Sequence, residues 1–133
     1  MKKIIFVALT ICALIISACT PSNKLEFEVG AASTECPFAI DEITTCVDIF
    51  TENNNVVYKC VVDETEFTMQ DLNNPDGKSA LKDNMYINRL ANEDQDVEDF
   101  YNMVKEAKYN IVYRYIGAST GESFDITIYN HEL

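Results

Sequence analysis

The chain has 133 residues, with 10 basic and 22 acidic side chains, a formal net charge of −12 and 47% hydrophobic residues. Such acidity excludes a surface built to hold nucleic acid phosphates or to dock electrostatically on anionic lipid. The length admits one domain and no second, and one histidine with four glycines argues against a closed metal site or a glycine-rich phosphate loop.

Met1-Lys2-Lys3 precedes an apolar run from Ile4 to Ile16, interrupted only by Thr10 and Cys12, and the small residues Ser17 and Ala18 follow. A basic start, an apolar stretch of roughly 7–15 residues and small residues at a cleavage point describe a secretory leader, whereas a stable membrane span needs ~20. The tetrapeptide Ile16-Ser17-Ala18-Cys19 resembles the bacterial lipobox. That resemblance implies cleavage between Ala18 and Cys19 and a diacylglycerol on the Cys19 thiol. Two or three acyl chains anchor a protein that a single myristoyl chain holds only marginally. Residues 1–18 are then a cleaved signal peptide, residues 19–24 a lipidated tether and residues 25–133 one domain. Thr20 stands where an aspartate would retain a lipoprotein at an inner membrane, so in a cell with two membranes the outer one is favoured. With Lys2 and Lys3 gone the balance falls to eight basic against 22 acidic side chains, a net of −14. A cationic partner is permitted, although a repulsive, soluble surface is the plainer reading.

Leu25, Phe27 and Val29 alternate like a strand, while Leu25, Val29 and Ala32 fit one helical stripe; helix is the reading taken for Leu25 to Ala32. Cys36-Pro37 breaks what precedes it, because the residue before proline is pushed out of the α region. Thr45 to Phe50 and Val56 to Val62 are β-branched and aromatic runs around Asn53-Asn54-Asn55, which predicts a β-hairpin. Alternation puts Val56, Tyr58, Cys60 and Val62 on one face, the predicted buried one. Asn73-Asn74-Pro75-Asp76-Gly77 reads as a turn, and Ser79 as the cap of a helix running to about Ala91 through Leu81, Met85 and Leu90. Val97, Phe100, Tyr101 and Val104 recur at the spacing of a core-facing helical stripe, with Asp94, Asp96, Glu98 and Asp99 crowding the first turn, where the helix dipole favours negative charge. Asn110 to Ile116 and Phe124 to Asn130, joined by a turn from Gly117 to Gly121, predict a second hairpin. The order favours an α+β fold: about four antiparallel strands in two hairpins flanking two helices, with the helices packed on one sheet face.

Cys12 leaves with the leader and Cys19 is acylated, so Cys36, Cys46 and Cys60 remain, enough for one disulfide and one thiol in an oxidising exterior. The three-asparagine loop leaves the hairpin register open, and the pairing with it. Cys60 on an apolar face is more simply a small buried hydrophobe than a nucleophile. His131, three residues from the end, is poorly placed to serve as the base of a nucleophilic system. The acids Asp94, Asp96, Glu98 and Asp99 are better explained by a helix start than by a calcium loop. Asp71, Asn73, Asp76 and Gly77 fail as an EF-hand, with Pro75 at a ligand position and Lys82 in place of the terminal glutamate. Tyr58, Tyr113 and Tyr115 suit either an exposed recognition platform or cross-strand packing, and packing is favoured. No catalytic residue, metal or cofactor is expected.

Cys36-Pro37-Phe38-Ala39-Ile40-Asp41-Glu42-Ile43-Thr44, then Val57-Tyr58-Lys59-Cys60 and later Tyr113-Arg114-Tyr115 and Gly121, resemble a broad set of uncharacterised bacterial exported proteins. These carry a CP-x-x-(I/V)-D-x-x-T segment, a hairpin, helices, and a Y-x-Y strand with a glycine before the last strand. The resemblance spans most of the chain beyond the leader and implies an α+β envelope-associated domain without assigning an activity. Cys60 stands where the pattern usually has an aromatic, and no cysteine near the C-terminus can partner Cys36, so no disulfide carries over. The expected function is a non-catalytic lipoprotein that binds another envelope component, protein or glycan. The alternatives are an inhibitor or immunity protein against a cationic enzyme or toxin, and a thiol-dependent enzyme using Cys60 or Cys36.

Overall fold

The computed structural model describes residues 20–91 and 94–133. The expected leader, the Ala18–Cys19 junction and the lipidated Cys19 lie outside the described residues. Helix α1 (Pro21–Ser33) begins four residues before the sequence suggests. Thr20 caps it, its hydroxyl accepting from the Asn23 N–H at 3.3 Å, and Pro21 occupies the first turn, where its missing N–H has no helical partner to lose. Residues 21–24, expected to be tether, are therefore the first turn of a helix. Leu25, Val29 and Ala32 form the stripe that enters the core, and α1 lies against both strand β2 (Thr44–Glu52) and helix α4 (Gln95–Ala107).

Past Cys36-Pro37 a two-residue strand, β1 (Phe38–Ala39), pairs antiparallel with β2. Asp41 makes the return, its Oδ1 accepting from the Ile43 and Thr44 N–H groups at 2.9 and 2.8 Å. Strand β3 (Asn55–Val62) completes the predicted hairpin. The turn needs positive φ at both central residues, and Asn53 and Asn54 supply it at 50° and 61°, a conformation asparagine tolerates better than most.

Three helices carry the chain back: α2 (Met69–Leu72), α3 (Pro75–Ala91) and α4. Asp94 caps α4 as the acid-rich start predicts, its carboxylate accepting from the Asp96 N–H at 3.0 Å. Helix α3 begins at Pro75 rather than after Ser79, with the Asn74 side chain accepting from the Gly77 N–H at 2.8 Å. Proline in a first turn starts a helix as readily as it marks a turn. Gly77 is needed because a Cβ there would stand 2.5 Å from the Leu72 carbonyl oxygen.

Strand β4 (Asn110–Gly117) then runs parallel to β3, and β5 (Ser123–Ile128) pairs antiparallel with β4. The α+β class holds, with four helices and five strands among the described residues in the order β1-β2-β3-β4-β5. The expected four-stranded antiparallel sheet is corrected to a mixed one. The crossover of helices returns the chain to the end of the sheet where β3 began, so the two hairpins meet through a parallel pair. Val56, Val57 and Tyr58 are all buried, as are Ile111, Val112 and Tyr113, an unbroken apolar run at the start of the parallel pair, although the helices cover only the Tyr58 and Tyr113 face.

Asparagines secure the start of that pair. The Asn110 N–H donates to the Asn54 carbonyl at 3.0 Å and its side-chain amide to Asn55 Oδ1 at 3.2 Å. Asn110 Oδ1 accepts from the Asn130 N–H at 2.9 Å, and the Asn130 amide donates to the Tyr109 carbonyl at 2.7 Å.

The core lies on the sheet face carrying Cys46, Ile49, Val56, Tyr58, Cys60, Ile111, Tyr113, Tyr115, Phe124 and Ile126, closed by Leu25, Val29, Met69, Phe100 and Val104 of the helices. On the opposite face Arg114 spans the strands, pairing with Asp125 at 3.0 Å and Glu52 at 3.3 Å. Helix α3 packs Leu81, Met85 and Tyr86 against the core and is tied further through its cations. Lys82 pairs with Glu132 at 2.9 Å, and Arg89 grips Glu98 with two hydrogen bonds of 3.0 Å while covering the Tyr101 ring at 4.0 Å. That grip holds the Glu98 carboxyl below the usual carboxylate range. Ile87 and Leu90 face outward, 60% and 82% exposed.

Candidate functional site

The register left open by the asparagine loop is set by the Asn53–Asn54 turn as far as Asp48 opposite Lys59, and the bulge between Cys46 and Asp48 then places Cys46 directly opposite Cys60. Phe38 of β1 pairs with Cys46 from the other side. Cys36, two residues before Phe38, packs against the same cluster. The three cysteines named by the sequence are thus brought together, all as free thiols. Cys46 and Cys60 are fully buried, while Cys36 is half-buried. The Cys46 thiol donates to the Asp48 carbonyl at 3.4 Å and the Cys60 thiol to the Tyr58 carbonyl at 3.7 Å.

This is poor ground for a nucleophile. Burial, and then the neighbouring Cys46, push the Cys36 thiol up to about 12. Hydrogen bonding to Cys60, and then burial, push Cys46 further still. A reactive cysteine needs an electropositive setting that favours thiolate, and neither has one.

The tyrosines are core. Tyr58 and Tyr113 stack at 4.8 Å between centroids, Tyr113 and Tyr115 lie 6.5 Å apart, and Tyr115 stacks on Phe124 at 5.3 Å. Burial raises the phenol pKa of all three. His131 sits in an exposed terminal 3-10 turn (Asn130–Glu132) with its ring on Tyr129 at 5.9 Å. The acids serve the helices: Asp94 as a cap, Glu98 against Arg89, Asp99 against Gln95 at 2.8 Å, and Asp71 closing a capping box with Thr68. Among the described residues no group of three or more His, Cys, Asp or Glu is disposed to hold a metal ion.

A cleft of about 320 Å³, lined by Glu64, Thr68, Met69, Gln70, Ser119, Thr120 and Glu122, was not foreseen. Of its two acidic residues, Glu64 and Glu122, the first is committed to structure. Glu64 accepts from the Ser119 N–H at 2.8 Å, the Thr120 N–H at 2.9 Å and the Thr120 hydroxyl at 2.9 Å, and these bonds hold it below the usual range. No local sequence signal announces this clamp, because its partners are 55 and 56 residues apart.

The clamp explains Gly117, where a Cβ would stand 2.6 Å from the Glu64 carboxyl carbon. Gly117→Ala is expected to destabilise the domain by about 1–3 kcal/mol, the usual cost of overpacking. Adding Glu64→Ala removes the obstacle, so urea unfolding of the four proteins should find the double variant more stable than the two single losses added together.

No protein-family model and no curated protein sequence matches the chain. Solved structures do. One is the crystal structure of a Pseudomonas aeruginosa protein described as secreted, with a TM-score of 0.63 at 12% identity over 84% of this chain and 91% of that one. The likeness is one of fold. A pilotin from the Vibrio vulnificus type 2 secretion system matches with a TM-score of 0.56, again at 12% identity, over 84% of this chain and 94% of the pilotin.

Proposed function

We propose that the chain is an exported lipoprotein, anchored through Cys19, whose domain binds another protein of the cell envelope and catalyses no reaction. The observation that carries this reading is the fold shared with a pilotin and with a protein described as secreted, over 84% of this chain in each case. The resemblance of the CP-x-x-I-D-x-x-T segment to exported bacterial proteins supports it, as does the commitment of Asp71, Asp94, Glu98 and Glu64 to caps, an ion pair and a clamp, and of the thiols to the core.

The anchor has a structural consequence. Thr20 alone lies between Cys19 and the first residue of α1. The lipid therefore attaches at the N-terminal end of a helix that is itself packed on the sheet, and the domain is held with that end toward the bilayer. Its net negative charge is repelled by anionic headgroups, so the acyl chains supply the attachment.

The wild-type chain is expected to incorporate labelled fatty acid and to partition into detergent, and Cys19→Ser to incorporate none while folding normally. Cross-linking on intact membranes followed by capture should then recover one reproducible envelope protein from the wild type. Unlabelled wild-type protein, or a Cys19→Ser variant that loses its leader normally and still partitions into detergent, overturns the anchor. Turnover of a substrate by the pure domain overturns the non-catalytic reading.

A further inference from the structure

Cys36, Cys46 and Cys60 form a line with Cys46 in the middle. Cys60 lies opposite it on β3, and Cys36 approaches from the β1 side, where Phe38 pairs with Cys46. Cys36, just before β1, packs against the same buried cluster as the other two. Three thiols allow one disulfide and leave one over. Cys46 is the neighbour common to both possible bonds. Access is unequal as well, since Cys36 is half-buried while Cys46 and Cys60 have no exposure.

We propose that this row is an oxidation site: a disulfide donor enters at Cys36, and the intramolecular disulfide that results always includes Cys46. The Cys36 sulfur, giving up its proton, attacks one sulfur of a donor RSSR, and a first RSH leaves. The Cys46 sulfur then loses its proton and attacks Cys36 in the mixed disulfide, expelling a second RSH. The protein loses two hydrogens and two electrons, and the donor gains both. Cys60 can next attack Cys46, passing the bond inward and returning Cys36 to the thiol form, an exchange without net oxidation. The high thiol pKa of Cys36 makes the first step slow with a small donor, so the end state is read after equilibration.

The test uses the full chain, taken from whichever fraction holds it, with glutathione disulfide as the probe. Cysteines are assigned by peptide mapping, so Cys12 and Cys19 do not enter and the result is independent of lipidation. Oxidised wild type is expected to lose about 2 Da, the two hydrogens of one new bond, with the remaining thiol at Cys36 or Cys60. Cys60→Ala should yield the Cys36–Cys46 bond. Cys36→Ala should oxidise at least about tenfold more slowly, because two buried thiols must await local opening. The proposal is overturned by wild type that forms no intramolecular bond, by a remaining thiol at Cys46, or by Cys36→Ala oxidising as fast as wild type.

Discussion

Leu25→Ala is expected to lower the stability of the domain by about 2–5 kcal/mol, the cost of removing a fully buried leucine and leaving a cavity. The residue lies in the second turn of α1 with no exposed surface, in a helix that contacts β2 on one side and α4 on the other. Neither neighbour can close the void without moving the sheet or its largest helical contact. Small domains are stable by about 5–15 kcal/mol in all, so this one truncation removes a large share. Leu90→Ala makes the matched control: 82% exposed on α3, it is expected to change stability by no more than about 0.5 kcal/mol. Urea titrations of both should show a lower midpoint with an unchanged slope for Leu25→Ala. Near-neutral behaviour at Leu25 would mean that α1 is a loosely attached leader to the domain rather than part of its core.

What was legible in the sequence follows the range of the interaction that fixes each element. Helix α4 is readable because both its signals are local, the Asp94 cap and the Val97, Phe100, Val104 stripe. The hairpin of β2 and β3 is readable because three asparagines mark its turn, but its register is not. Only two of them enter the turn, with Asn55 already in the strand, and a bulge between Cys46 and Asp48 shifts the pairing again. A slip of one residue would turn every side chain to the other face, which is why the meeting of Cys46 and Cys60 stayed open until the structure decided it. Strand β1 is too short to show alternation. The parallel contact of β3 with β4 leaves a trace, apolar residues on both faces of Val56–Tyr58 and Ile111–Tyr113, and a reading that assigned each hairpin one wet face passed over it.

Tyr113→Ala is expected to cost about 3–5 kcal/mol, the range for emptying a large aromatic site in a core. Tyr113 is the middle ring of the ladder, within 4.8 Å of Tyr58 and 6.5 Å of Tyr115 between centroids, on one of the two strands that form the parallel pair. Its loss withdraws packing from both neighbours at once, and each ring contact adds about 0.5–1.5 kcal/mol beyond area burial. The effect should therefore be non-additive with Tyr58→Ala, the double variant losing less than the two singles added together. Tyr113→Phe keeps the ring and removes only the hydroxyl that interacts with Tyr101, so it should cost no more than about 1.5 kcal/mol. Calorimetry of these variants beside Tyr129→Ala, a ring 51% exposed, separates the two roles open to tyrosines in such a sheet. A recognition platform would tolerate Tyr113→Ala in stability and lose partner binding; a core ladder loses the fold first, and then Tyr113→Phe binds as the wild type does.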